Sequence, residues 1–377
     1  MSADICLPCS GARYILQLVY AIFPYFYIKK MNKAQQAHII TEWRTYYEDR
    51  GVPQDISQKY MAYVERLVSK GVPVIFDLEH LGMLMNVKVP YLKQVINDSK
   101  YYYHEFEIPK RSGGMRQILA PNATVKQMQL WIYKNILRNV ALHENAHAFR
   151  RNCSIVTNAK EHLNKKYLYK LDLKDFFTTI KINQVVNVFK EIGYTKRVSY
   201  YLAALCCYKG YLPQGAPTSP ALSNIVCRSM DNRLTKMAEK FGYKYTRYAD
   251  DIAFSGEFIS QSFGFTVLAV LRQCGFMINL QKVHLYGEYG KKILTGISIS
   301  SDHLQLPKEY KRKLRQEVYY IQKYGIDEHM QKTQNNSPYF FKSIYGKVCF
   351  WLMVEPDNEK AKEAKAYLQS IKAARGY

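Results

Sequence analysis

Apolar residues recur at helical spacing early in the chain, at Trp43, Tyr46 and Tyr47 and again at Tyr60, Tyr63, Val64 and Leu67. Gly51-Val52-Pro53 and Gly71-Val72-Pro73 punctuate these runs, so residues 1 to about 75 read as a helical segment. A second helical pair is expected over 77–99. The period then changes. Residues 101–108 read as a strand, Lys110-Arg111-Ser112-Gly113-Gly114 as a basic turn, and 115–119 as a return strand carrying Arg116. Residues 125–140 form an amphipathic pattern around Trp131. Between about 150 and 300, short strands and helices alternate without a long linker, the pattern of an α+β fold around a small antiparallel sheet. From Pro307 the pattern is helical and basic, led by Lys308-Glu309-Tyr310-Lys311-Arg312-Lys313-Leu314-Arg315 and closed by 360–377. No internal repeat or low-complexity tract interrupts it.

Within the alternating part lies Tyr248-Ala249-Asp250-Asp251, two adjacent carboxylates between apolar and aromatic runs. The flanks predict a β-hairpin with its turn at the acids. Like charges at a tight turn stabilise a fold poorly, and they become sensible when a divalent cation sits between them. Asp172, at the end of the strand-like run Tyr167-Leu168-Tyr169-Lys170-Leu171-Asp172-Leu173, is a third candidate ligand. Three hard oxygen donors suit Mg²⁺, which completes its octahedron with water and substrate phosphates. A pair of such ions suits in-line phosphoryl transfer.

Other residues fit around these acids. Asp175 is expected to cap the next helix. The Phe177 ring is placed to lie beneath a nucleotide sugar, where it would collide with a 2′-hydroxyl; core packing is the alternative. Leu212-Pro213-Gln214-Gly215-Ala216-Pro217-Thr218-Ser219-Pro220 reads as a stiff loop feeding a helix that begins near Ala221, with Gly215 allowing close backbone approach and Ser219-Pro220 as N-cap and first turn. Lys110, Arg111 and Arg116 could hold a triphosphate or simply line a solvated hairpin. Lys282, after Gly275-Phe276-Met277-Ile278-Asn279, suits a pyrophosphate leaving group or an ordinary surface position equally well.

Composition narrows the partners. The 377 residues are 48% hydrophobic, enough for a large core in two or three lobes. A net charge of +23 calls for a polyanion, and 33 Tyr suit stacking on bases, although most Tyr simply pack. The eight Cys are too scattered for a disulfide framework, and Cys6-Leu7-Pro8-Cys9 has no second pair of zinc ligands nearby. A reducing cytoplasm and inert thiols are expected. The apolar run 14–28 holds Pro24 and four Tyr and reads as a packing helix rather than a membrane span.

The order of parts LDLKDFF, LPQGAPTSP, RYADD and GFMINLQK resembles the palm and fingers of a reverse transcriptase. Asn158-Ala159-Lys160-Glu161-His162 is similar to the NAxxH element of retron reverse transcriptases. Leu294-Thr295-Gly296 resembles their VTG element, with Leu in place of Val. The similarity covers roughly residues 75–350; the N-terminal 75 match less clearly. It implies a right-hand polymerase, with a helical extension over 1–75, fingers and palm over 76–300 and a basic helical thumb over 301–377. It implies that Asp172, Asp250 and Asp251 hold two Mg²⁺ ions, and that Phe177 selects deoxynucleoside triphosphates. Gln214 and Gly215 would touch the nascent base pair. Arg116, with Lys110 or Arg111, would bind the triphosphate, and Lys282 would stand near pyrophosphate. Asn158 and His162 would belong to a surface for the cognate structured noncoding RNA, and Thr295 and Gly296 to a primer grip.

The activity implied is RNA-directed DNA synthesis in a bacterial cytoplasm. It would start from a 2′-hydroxyl of the enzyme's own RNA and give a branched RNA–DNA product, with an effector protein in antiviral defence and no membrane. Competing expectations are a group II intron-like or diversity-generating reverse transcriptase and a catalytically inactive RNA-binding scaffold. Intron proteins usually carry a maturase region beyond the thumb, whereas about 75 residues follow the palm here; the intact acid trio weighs against a scaffold.

Overall fold

The computed structural model describes residues 32–110 and 113–375. Cys6, Cys9, the run 14–28 and Arg111 lie outside the described residues. The chain divides into two compact units, each built from two separated segments: residues 32–143 with 175–230, and residues 144–174 with 231–375.

In the first unit, helices Lys33–Asp49 and Gln54–Ser69 pair through the residues whose spacing predicted them. Trp43, Tyr46 and Tyr47 pack on Met61, Val64 and Val68. Asn32 caps the first helix reciprocally with Gln35. Helices Leu78–Met85 and Val89–Asn97 follow, the first capped by Asp77. Strands β1 (Tyr103–Pro109) and β2 (Met115–Pro121) form an antiparallel hairpin. Helix Ala123–Asn135 then starts at Asn122, whose side chain accepts from the Val125 N–H; it ends five residues short of the expected 140, where a 3₁₀ turn Leu137–Asn139 takes over. Its buried Gln129 donates to the Tyr103 hydroxyl at 2.7 Å and the Leu205 carbonyl at 2.9 Å, tying hairpin and helices together.

Two cap expectations are corrected here. Asp175 occupies the N-cap position of a four-residue helix, Phe176–Thr179, but makes no side-chain cap bond and sits at φ +49. Its carbonyl instead accepts the Thr178 and Thr179 hydroxyls. The long helix Ser219–Lys240 begins at Ser219, so that residue lies inside the first turn and its buried hydroxyl caps nothing.

The second unit is organised by a five-stranded antiparallel sheet. Its strands are β3 (Tyr167–Lys174), β4 (Lys244–Tyr248), β5 (Asp251–Gly256), β6 (Met277–Ile278) and β7 (His284–Tyr286). The order is β4-β5-β3-β6, with β7 also on β3. β3 is central, and Leu168, Tyr169 and the run Leu171 to Leu173 are buried. The side-chain alternation sorts the sheet into two faces. Tyr169, Tyr245 and Phe254 stack together on one face against Phe263 of helix Gln261–Gln273. Leu168 and Ala253 on the other face join the core formed by Leu294, Ile297, Leu314, Ile344 and Trp351.

That core also contains the hairpin β8 (Ile293–Leu294) and β9 (Ile297–Ser298) and the basic C-terminal helices Lys308–Tyr324, Ile326–Lys332, Phe340–Val354 and Glu359–Arg375. Glu355 ties the helices together, accepting from Leu306 N, Lys311 Nζ, Trp351 Nε1 and Asn358 Nδ2 at 2.7–3.1 Å. Among the described residues, no cysteine is in a disulfide and no helix is long and apolar enough to cross a membrane.

Candidate active site

The acid hairpin forms as its flanks predict. Tyr248 pairs with Asp251, leaving Ala249 and Asp250 as a two-residue turn. β5 pairs on its other side with β3, in a register that sets Asp172 directly opposite Asp251. The Leu173 N–H donates to the Asp250 carbonyl at 3.0 Å, and the Asn279 N–H to the Asp172 carbonyl at 2.9 Å. Three carboxylates from two distant parts of the sequence therefore gather at one end of the sheet.

Their electrostatics follow from burial and mutual repulsion. Burial, reinforced by the Asp172 charge, pushes Asp250 up to about 6. Burial also raises Asp251, against the pull of the Lys170 ammonium 3.8 Å away. Lys282 Nζ lies 3.0 and 3.1 Å from the two Asp172 oxygens. Lys282 is thus an exposed side chain that forms an ion pair with Asp172. As the side chains stand, no three His, Cys, Asp or Glu groups among the described residues close around a single ion position. The donor chemistry nonetheless fits a hard divalent ion: all oxygen, anionic and repelling one another. The ammonium now on Asp172 belongs to a side chain that is 52% exposed, with solvent into which it can withdraw.

The remaining expected residues are placed as follows. Thr295 and Gly296 form the tight β8–β9 turn, at φ +48 and +85. Lys110, Arg116, Phe177, Gln214 and Gly215 belong to the first unit. Lys110 and Arg116 are exposed at the turn end of the β1–β2 hairpin. The Phe177 ring is half-buried beside Phe176, 5.3 Å between centroids. The Gln214 carbonyl accepts from Leu119 N at 2.9 Å. Gly215, at φ +133, passes so close to β2 that a Cβ there would stand 2.8 Å from the Leu119 carbonyl oxygen.

Residues 108–334 match the family described as Reverse transcriptase (RNA-dependent DNA polymerase). The chain belongs to that family. It is 31% identical over 263 residues to the Retron Ec86 reverse transcriptase of Escherichia coli, covering 68% of this chain and 81% of that one. It is also 31% identical over 274 residues to the Retron Mx65 reverse transcriptase of Myxococcus xanthus, covering 66% and 64% respectively. The Retron Ec73 reverse transcriptase of Escherichia coli is 34% identical over 235 residues, covering 56% and 73%. These matches make the protein a retron-type, RNA-directed DNA polymerase, and its helices and antiparallel sheet fit the right-hand polymerase fold.

In this reverse transcriptase two expected RNA contacts prove to be interior residues. His162 is fully buried, its ring nitrogens 2.7 Å from Ser255 Oγ and from Thr246 Oγ1. Asn158 is 1% exposed. The expectation of a surface role is corrected for both: an enclosed side chain cannot touch RNA. His162 instead pins β4 to β5 just behind the acid turn.

Arg247 and Asp231, both completely buried and paired, were not among the residues expected from sequence. The available signal was an arginine at an interior strand position, between Thr246 and Tyr248.

Proposed function

We propose that this reverse transcriptase copies a cognate structured noncoding RNA into single-stranded DNA by two-metal-ion nucleotidyl transfer, starting at a 2′-hydroxyl of that RNA. The observation that carries the reading is the pairing of Asp172 with Asp251 beside an Asp250 whose pKa is raised, a cluster of three carboxylates whose repulsion the neighbouring Lys282 and Lys170 only partly offset. Asp172, Asp250 and Asp251 are the residues that would hold the ions. Bound Mg²⁺ supplies acidification of the attacking hydroxyl and neutralisation of the departing pyrophosphate. The carboxylates orient rather than transfer protons.

The protein's other residues do the rest. Arg116, with Lys110, binds the incoming triphosphate. Phe177 excludes the 2′-hydroxyl of ribonucleotides. Gln214 and Gly215 support the nascent base pair. Lys282, once released from Asp172, faces the pyrophosphate. Residues 76–300 act as fingers and palm. The Thr295-Gly296 turn and the helices from Lys308 grip the primer–template duplex as a thumb, and the N-terminal helices form an extension. In the bacterial cytoplasm the branched product and an effector protein would serve phage defence.

The test is to purify the protein with the nucleic acid it retains, then supply deoxynucleotides and Mg²⁺. DNA covalently joined to RNA, released by a debranching enzyme specific for 2′–5′ linkages, is expected. Linear DNA alone would contradict the branched start.

A further inference from the structure

The turn that carries Asp250 is held from behind by a buried ion pair. Ala249 sits at φ +57, where the first position of a two-residue turn favours glycine. Its carbonyl accepts Arg247 Nη1 at 3.2 Å. The Arg247 guanidinium is itself fixed by Asp231, with Nε on Oδ1 at 2.8 Å and Nη2 on Oδ2 at 2.7 Å, while the Tyr245 hydroxyl donates to Oδ1 at 2.7 Å. The Arg247 backbone is equally constrained: its N–H donates to Asn145 O at 2.8 Å and its carbonyl accepts from His147 N at 2.9 Å. Each of the three guanidinium nitrogens thus has a fixed partner.

Stability is a weak reason for this pair. An apolar pair of similar volume commonly supports a fold as well as a buried ion pair does. The geometry supplies a better reason. An apolar pair has no donor for the Ala249 carbonyl, and the left-handed peptide loses the restraint that this bond supplies. Asp250, the next residue, would then turn away from Asp172 and Asp251.

We infer that Arg247, oriented by Asp231, is a positioning residue for DNA synthesis: its bond to the Ala249 carbonyl aims the Asp250 carboxylate at Asp172 and Asp251. The inference rests on the metal-site assignment of those three aspartates. The pair acts through the turn, touches neither substrate nor ion, and sets kcat rather than nucleotide affinity.

The experiment compares three variants of the full chain in complex with its RNA. The first replaces both charges, Asp231→Leu with Arg247→Met. It is expected to melt near the unaltered protein while kcat falls between about tenfold and a hundredfold, with the KM for deoxynucleotide unchanged. Mn²⁺ binding to the nucleotide-free protein, followed by electron paramagnetic resonance, weakens in parallel. Adding Ala249→Gly to that background is expected to recover part of the lost kcat, because glycine adopts positive φ without strain.

The third variant, Arg247→Lys, keeps the charge opposite Asp231 and so keeps the fold. Its single ammonium does not reach both partners, and it should show the same loss of kcat. Unaltered kcat in either folded variant, or no recovery with Ala249→Gly, overturns the inference. Asp250→Asn is the control: if it remains active, the metal-site reading fails, whereas an inactive control beside a fully active double variant defeats the clamp alone.

Discussion

Asp172 and Asp251 face each other as register partners on β3 and β5, and both point from one face of the sheet. Like charges placed directly opposite on neighbouring strands destabilise a sheet. Here two lysines offset them, Lys282 on Asp172 and Lys170 on Asp251. The arrangement is poor as scaffolding and well suited to gathering cations.

Gly215→Ala tests the close approach in the loop before the long helix. The new Cβ would stand 2.8 Å from the Leu119 carbonyl oxygen, at a φ that side chains rarely adopt. The variant is expected to lose about 1–3 kcal/mol of stability, measured by urea denaturation. A variant as stable as the unaltered protein would show that the loop shifts freely.

His162 gives the protein an acid-side liability. Burial lowers its pKa to about 3, against about 6.5 in an unfolded chain. The folded state therefore refuses a proton that the unfolded state accepts. The resulting stability is fully present above about pH 6.5 and is lost as pH falls toward 3. His80, lowered to about 4 by burial, adds to the same slope. His162→Gln should reduce proton uptake on unfolding by about one between pH 6 and 4, measured as the pH dependence of the denaturation midpoint. An unchanged slope would mean that His162 is not held neutral.

Lys308, Arg312, Lys313 and Arg315 are exposed on the first C-terminal helix, whereas Leu314, Val318 and Ile321 face the core. If that exposed face tracks phosphates, RNA affinity falls linearly on a logarithmic salt scale. Arg312→Gln with Lys313→Gln should shallow that slope by about two, measured by filter binding. A slope identical to that of the unaltered protein would remove this helix from the RNA path.

How legible all this was depends on sequence distance. The acid hairpin could be read because its signal is local: two acids between apolar runs, closed by a two-residue turn. The β1–β2 hairpin and the paired N-terminal helices were legible for the same reason. His162 was misread as a surface residue because its partners Thr246 and Ser255 lie 84 and 93 positions away, and only folding brings them together. Asp175 reads as a cap by residue type, but the four-residue helix after it draws on its carbonyl instead of its carboxylate. Arg247 carried a weak signal, and its meaning waited on Asp231, sixteen residues upstream.

The most direct test of the central claim is deoxynucleotide incorporation by a purified Asp250→Asn protein on its bound RNA, with Mg²⁺ supplied. The substitution removes one negative charge from the trio and leaves the size of the side chain almost unchanged. Incorporation is expected to be abolished while RNA binding and thermal stability are retained. Substantial DNA synthesis by that variant would contradict it.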